Sequence, residues 1–503
     1  MAVLAVLARA ACAVCAGLAA LPVAAQNAGA LRITPLLDTT LSVVHSTLPV
    51  LQGQGDDVVL QVRPGVQITA GSSRVRGTLD YALNAIHHSR SAPGQGQADS
   101  LQNNLTAALN AEVLERWVYV DANAAITQQA ISAYAQQSVD GVQTNTNRTE
   151  VSRVSIRPYA RGNLAGWAVY QLAISADVSH SRGTAVPDSH NTGVNLSLGS
   201  QSGGTLLGWS ALASQQTTTF SGRATDNGRL SVSLLVRPSP ELNGALRVGQ
   251  ETTSVGSVYR QTYNNWGGDL RWTPSVRTTA SVSADRRYFG DGYQVLLEHR
   301  FPNSSVRFSS NRDANNTANG AGVGQPVTLY QLLYAQLASA YPDPALRDQV
   351  VRDTLRTLQL DPNAVVAGGF ASGGATVQRR NDLSMTYIGR RTTFTLQAFG
   401  SDTQRIDTTT VGVDTTPVRQ AGLNAIVSYR LTPTSNVNLT GSGLRTRGTA
   451  TQAGNQLKSV AVSWGTKLSP YLGTSLSARY SAFDGAANSY RESALSASLN
   501  LRF

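Results

Sequence analysis

Apolar and polar residues alternate along most of this chain with a period of two. Near its end, Leu495, Ala497, Leu499, Leu501 and Phe503 alternate with Ser496, Ser498, Asn500 and Arg502. Successive strand side chains point to opposite faces, so the first set shares one face and the second set the other. The pattern recurs upstream: Leu476, Ala478 and Tyr480 against Ser475, Ser477 and Arg479, then Val460, Val462 and Trp464 against Ser459, Ala461 and Ser463. Leu423, Ala425, Val427 and Tyr429 behave likewise against Asn424 and Ser428, as do Leu230, Val232 and Leu234 against Ser231 and Ser233. Each segment predicts a strand with one apolar face.

The connections order these strands. Short Pro- and Ser-rich turns recur at Ser239-Pro240, Thr273-Pro274-Ser275, Pro302-Asn303, Thr432-Pro433-Thr434 and Ser469-Pro470. Proline presets the φ that a tight turn needs, and Ser or Thr bonds the local backbone. Longer polar stretches lie between them, as at 403–416 and 448–455. Alternating short and long connections predict a membrane-spanning β-barrel with short periplasmic turns and long external loops. The bulky residues before the short turns (Trp272, Phe301, Leu431, Leu468) then form the inner girdle. Counting in this way gives about 22 strands, within a range of about 18–24, since boundaries read from sequence err by a few residues. Fifteen of these precede one exceptional segment and seven follow it. The fold class expected is all-β, a single large antiparallel transmembrane β-barrel.

The exception is residues 325–373. Leu329, Leu332, Leu333 and Leu337, then Leu346, Val350, Leu355 and Leu358, fall at helical spacing, and Asp343-Pro344 is a capped helix start. A helical hairpin inserted in one long loop is expected. The loop count puts it outside the membrane as a cap on that loop, or folded into the lumen as a plug or gate.

Composition fits this outline. The 503 residues are 41% hydrophobic and 14% charged. No internal apolar run reaches the ~18 residues of a spanning helix. Residues 1–25 read as a signal peptide, with Arg9, an apolar core, and Val23-Ala24-Ala25 before Gln26. Residues 26–503 would be the barrel, placed in the outer membrane of a Gram-negative cell. Cys12 and Cys15 are the two cysteines and both fall in the leader, so the mature chain would hold no disulfide and no thiolate metal site.

Net charge is +11, nearly all from arginine, because Lys458 and Lys467 are the lysines present. Assigning each strand's apolar set to lipid turns Arg237, Arg247, Arg271, Arg300, Arg307, Arg430, Lys467, Arg479 and Arg502 towards the lumen. A charge on the lipid face would cost ~2–4 kcal/mol at the midplane, which favours that assignment. Such a lumen would draw anions, unless the arginines merely pair with Asp and Glu along a hydrated wall. No catalytic constellation stands out, since the six histidines are dispersed and His87-His88 is expected at the surface. No enzyme activity, metal, cofactor or nucleic-acid partner is expected.

The pattern resembles the outer-membrane β-barrel family associated with PEP-CTERM/exosortase systems. The resemblance rests on Arg32-Ile33-Thr34-Pro35 through Val62-Arg63-Pro64-Gly65, on Ser155-Ile156-Arg157-Pro158-Tyr159, and on the late insertion with its Asp-Pro starts. It continues through Ser428-Tyr429-Arg430-Leu431-Thr432-Pro433-Thr434-Ser435 to Phe503. It implies export or surface assembly of exopolysaccharide. Besides membrane lipid, the implied partners are an anionic polysaccharide and periplasmic export proteins. Leu499, Leu501 and the terminal Phe503 resemble the signal read by the barrel-assembly machinery. Two other readings fit the same barrel: a general or anion-preferring diffusion porin, and a surface-display adhesin.

Overall fold

The computed structural model describes residues 31–47, 55–89, 99–139, 147–183, 186–201, 206–315, 327–337, 341, 343–357, 365–367, 369–371, 374–406, 416–486 and 489–502. Residues 1–25 and Phe503, which carry the leader and part of the assembly signal expected from sequence, lie outside them.

Twenty-two strands form one antiparallel sheet. It opens with β1 (Leu31–Ser46) and ends with β24 (Tyr490–Arg502). β1 pairs with β2 (Gly55–Gly71) on one side and with β24 on the other, from Leu36↔Arg502 to Ser46↔Glu492. The sheet is therefore a closed barrel, and closure removes the unpaired edges that a spanning sheet cannot leave in lipid. Fifteen strands, up to β15 (Ser304–Asn315), precede the helical segment, and seven, from β18 (Thr376–Ile388), follow it. β15 pairs directly with β18 from Ser304↔Tyr387 to Asn315↔Thr376, so the insertion leaves the ring unbroken.

Burial is inverted relative to a water-soluble fold. Leu230, Val232 and Leu234 of β10 (Arg223–Ser239) are exposed, while Ser231 and Ser233 between them are buried. Leu41 and Val43 against Ser42, and Val460 and Val462 against Ser459, repeat this. Burying a Leu or Val side chain away from water is worth roughly 1.5–3 kcal/mol. An outer face built from such residues is stable only against hydrocarbon, and the period-two alternation aims it there. Trp117, Trp167, Trp272, Phe301, Leu431, Leu468 and Tyr471 stand exposed beside the short turns, as a girdle at that end. This is a barrel of outer-membrane type.

Loop lengths alternate less strictly than the sequence suggests. At the long-loop end, β9 (Leu207–Phe220) joins β10 through Ser221-Gly222 alone. Both residues have positive φ, 50° and 77°. That geometry matches the right-handed strand twist in a two-residue hairpin. β13 (Thr278–Arg287) likewise reaches β14 (Gly290–Arg300) through Tyr288-Phe289, whose rings meet edge to face.

Candidate functional site

The lumen is occupied, and its occupant is the helical hairpin. α1 (Leu329–Gln336) and α2 (Pro344–Thr357) follow the short strand β16 (Val327–Thr328), which pairs antiparallel with β17 (Val365–Ala367). α1 begins in a capping box: the Gln331 amide donates to Thr328 Oγ1, and the Thr328 amide to Gln331 Oε1. α2 begins at Pro344, where the missing amide would have had no helical partner. Leu329, Leu332, Leu333 and Leu337 pack with Val351 and Leu355 into a small core, to which the wall adds one buried residue, Ile426 of β20 (Val418–Arg430).

Four contacts fix how far the hairpin descends. Ile426 sits close to Arg430, the last residue of β20 and its short-turn end. Thr386 of β18 donates to Gln336 Oε1, and Thr386 pairs with Ser305 near the start of β15. The Arg307 guanidinium donates to the Ala335 carbonyl at 3.2 Å. Across the barrel, Arg352 of α2 forms an ion pair with Asp80 of β3 (Val75–His88), in that strand's turn-side half. Passing from β15 by way of β18, β24 and β1, β3 is ten strands round a ring of twenty-two. The hairpin thus spans the lumen to its periplasmic half. It is not the cap on an external loop that the loop count allowed, because the wall residues it meets, Ile426, Thr386, Arg307 and Asp80, lie in the turn-side half of the barrel.

A second segment also turns inward, with no counterpart in the sequence reading. Residues 131–139, between β5 (Val118–Ala130) and β6 (Arg148–Leu164), cross the outer lumen. The Ala133 carbonyl accepts from Asn455 Nδ2 at 2.9 Å and from Thr446 Oγ1 at 3.2 Å. The Gln137 carbonyl accepts from Tyr490 Oη at 2.8 Å, and Val139 packs on Leu457, Phe483 and Tyr490. The Ala371 amide, on the chain returning from the hairpin, donates to the Ala130 carbonyl at 2.7 Å. Polar groups drive this docking, and no apolar periodicity announces it.

The wall itself is a charged lattice. Arg237, Arg247, Arg271, Arg300, Arg307, Arg430, Lys467, Arg479 and Arg502 all share strand parity with the lumen-facing residues, opposite the exposed apolar set. They divide by partner. Arg247 bridges Asp269 and Asp285, and Arg229, not singled out from sequence, also binds Asp285 at 3.0 Å. Arg307 lies 3.7 Å from Glu298, and Arg479 binds the buried Glu492. Nearer the outer end, Arg287 holds the fully buried Glu251 at 2.7 Å. Arg300 and Arg502 also have partners. Among the described residues, Arg237, Arg271, Arg430 and Lys467 have no acidic partner.

Four histidines pair with aspartates towards the loop end: His45–Asp56, His87–Asp99, His88–Asp57 and His180–Asp188, at 2.7 to 2.9 Å. The surface placement expected for His87-His88 holds for His87 alone. His88 is 3% exposed, because the strand's alternation turns it inward onto Asp57. Among the described residues, no cluster of three or more His, Cys, Asp or Glu side chains is placed to hold a metal ion. Asp99 precedes β4 (Ser100–Leu114), outside the spanning strands, and its carboxyl is held below its usual range. The first cause is the His87 side chain, followed by the His88 amide.

No protein-family model matches the chain, and no curated protein does. Among solved structures, it is similar to the FrpB iron transporter of Neisseria meningitidis (F5-1 variant), with 10% identity and a TM-score of 0.48, over 93% of this chain and 82% of that one. It is also similar to the siderophore receptor PirA of Acinetobacter baumannii, with 8% identity and a TM-score of 0.48, over 94% and 80%. For PirA of Pseudomonas aeruginosa the identity is 10% and the TM-score 0.42, over 93% and 80%.

Proposed function

We propose that this chain is a gated outer-membrane conduit serving exopolysaccharide export in a PEP-CTERM-type system, with the helical hairpin as its gate. The supporting observation is how the hairpin is held. Among the described residues its buried apolar core is its own but for Ile426, and its polar contacts with the wall include one ion pair and two hydrogen bonds. A net hydrogen bond is worth about 0.5–1.5 kcal/mol, so polar attachments of this kind are individually weak and can break without unfolding the hairpin's own core.

The emptied lumen would be wide. Twenty-two strands spaced ~4.8 Å apart and tilted ~40° close at a backbone radius on the order of 20 Å. That leaves room for a hydrated polymer once two helices, each ~10 Å across, have moved aside. The polar wall suits a sugar chain, and the paired arginines keep it hydrated.

The test is single-channel conductance of the refolded barrel in a planar bilayer, with and without residues 325–373. Little conductance in the intact protein and large steady steps after deletion are expected. High steady conductance in the intact protein would instead support a diffusion porin, and silence in both forms would leave a surface-display role. The exopolysaccharide assignment is tested separately, by deleting the gene in its host and measuring secreted polymer, which should fall.

A further inference from the structure

A recess of about 720 Å³ opens in the lumen wall where β10, β11 (Leu242–Thr253), β12 (Gln261–Ser275), β13 and β14 run side by side. That volume lies within the ~300–1,000 Å³ of typical small-ligand sites. The recess sits at the short-turn end, so a solute entering from the periplasm meets it early. Its polar lining comes from alternate residues of five strands, and the registers put them in two rows. Asn243 pairs with Arg271 and Arg271 with Ser281. Val236 pairs with Gly244, which brings Arg237 to the other side of Asn243. The second row runs Ala245, Asp269, Ser283 and Gln294.

Charge decides what the recess would take. Arg237 and Arg271 stand two strands apart, roughly 10 Å between backbones, with only the shorter Asn243 between them. Neither has an acidic partner among the described residues. The carboxylate that lines the recess, Asp269, is held by Arg247, and Glu298, on β14, faces Arg307. Two arginines without an acidic partner among the described residues thus line the recess together with neutral hydrogen-bonding groups (Asn243, Ser281, Ser283, Gln294), and Leu235 and Ala245 supply apolar surface. Guanidinium forks bind carboxylates bidentately, hydroxyls meet amides and serines, and a sugar's C–H face suits the apolar patch.

We propose that this recess is a binding site for carboxylate-bearing sugar units, which engages a uronic-acid-type polymer on the lumen wall through Arg237 and Arg271. The proposal extends the reading of the lumen as a polymer path, but binding does not require the gate to open. The experiment therefore measures affinity, not transport.

The refolded full-length barrel in detergent, at low ionic strength, would be titrated calorimetrically with trigalacturonate, with neutral maltotriose and with inorganic phosphate. The wild type would be compared with Arg237→Gln, Arg271→Gln, the double variant, and Arg430→Gln as a lumenal arginine outside the recess. Heat-modifiable gel mobility would certify folding of each. Trigalacturonate should bind at least tenfold more tightly than either other probe. Each recess variant should weaken it about tenfold, while Arg430→Gln stays within twofold. Equal loss at Arg430 would reduce the effect to diffuse positive charge and overturn the site. So would an unaffected double variant, or maltotriose binding as well as the uronate. Phosphate binding as tightly as the trimer would make it a small-anion site and overturn the polymer. A silent deletion barrel that still binds trigalacturonate through these arginines would sink the conduit and spare the site.

Discussion

Arg352 ties the helical hairpin to the barrel wall through an ion pair. It binds Asp348 one turn earlier on its own helix at 2.9 Å, lies over the Tyr330 ring of the partner helix, and reaches Asp80 on the wall. The Asp80 contact joins hairpin to barrel, and the other two only pre-set the guanidinium for it. Replacing Asp80 by Asn removes the wall's half of the pair while leaving Arg352 its internal partners. Asp80 is about a third exposed, so screening reduces the effect below that of a fully buried pair. We expect on the order of 1 kcal/mol, or severalfold in the open-to-closed ratio. Single-channel open probability is the readout, and an unchanged value for Asp80→Asn would mean that the pair does not latch the hairpin. Ile426→Ala removes the buried apolar contact that the wall makes with the hairpin core among the described residues. It should open the lumen further, since truncating a buried Ile costs ~2–5 kcal/mol where the site cannot collapse.

At the level of elements, the connection between β3 and β4 ties a charge to a strand end. Asp99 accepts from the His88 amide at 3.2 Å, and the His87 ring lies within 2.9 Å of it. These bonds favour the carboxylate and lower its pKa below the ordinary 3.8. A depressed carboxylate pKa stabilises the folded state above the unfolded value, and this contribution is lost as pH falls through the folded one. Acidification below about pH 3.8 should therefore loosen this loop end. Hydrogen exchange at the outer ends of β3 and β4 should rise in acid in the wild type. Asp99→Asn should show that faster exchange already at neutral pH and little further change. Strands of this kind were legible from sequence because lipid on one side and a polar lumen on the other impose alternation, as Leu230 to Leu234 show. The fifteen-plus-seven count survived because most short turns carry a Pro or Ser marker, although Glu115-Arg116-Trp117, Ala165-Gly166-Trp167 and Gly389-Arg390-Arg391 do not. The inward fold of residues 131–139 was not legible, since its anchors are main-chain carbonyls of Ala133 and Gln137, which any residue could supply. The division of the arginines was equally hidden. Parity aims Arg247 and Arg271 at the lumen alike, and the cross-strand register gives Arg247 two aspartates and Arg271 none among the described residues.

For the whole molecule, the question is whether the barrel needs its plug. The ring is closed by β1 with β24, and β15 pairs with β18 along twelve positions, so every strand keeps both neighbours when residues 325–373 are absent. The hairpin's core is its own, and among the described residues the wall loses cover over Ile426 and partners for Asp80, Arg307, Thr386 and the Ala130 carbonyl. Each of these faces a lumen that water can fill, so none becomes a buried unpaired group. The deletion barrel should therefore fold and keep heat-modifiable mobility, with a melting temperature within a few degrees of the intact protein. Its current should also carry a sign. Among the described residues, Arg237, Arg271, Arg430 and Lys467 lack acidic partners, whereas Arg247, Arg307 and Arg479 are neutralised in place. Unpaired cations on a lumen wall raise the local anion concentration, and salt screens them over ~10 Å at 0.1 M. Reversal potentials across a KCl gradient should show anion preference at low salt that fades towards 1 M. Preference for cations would place the pore's field with the acidic groups of the outer rim instead.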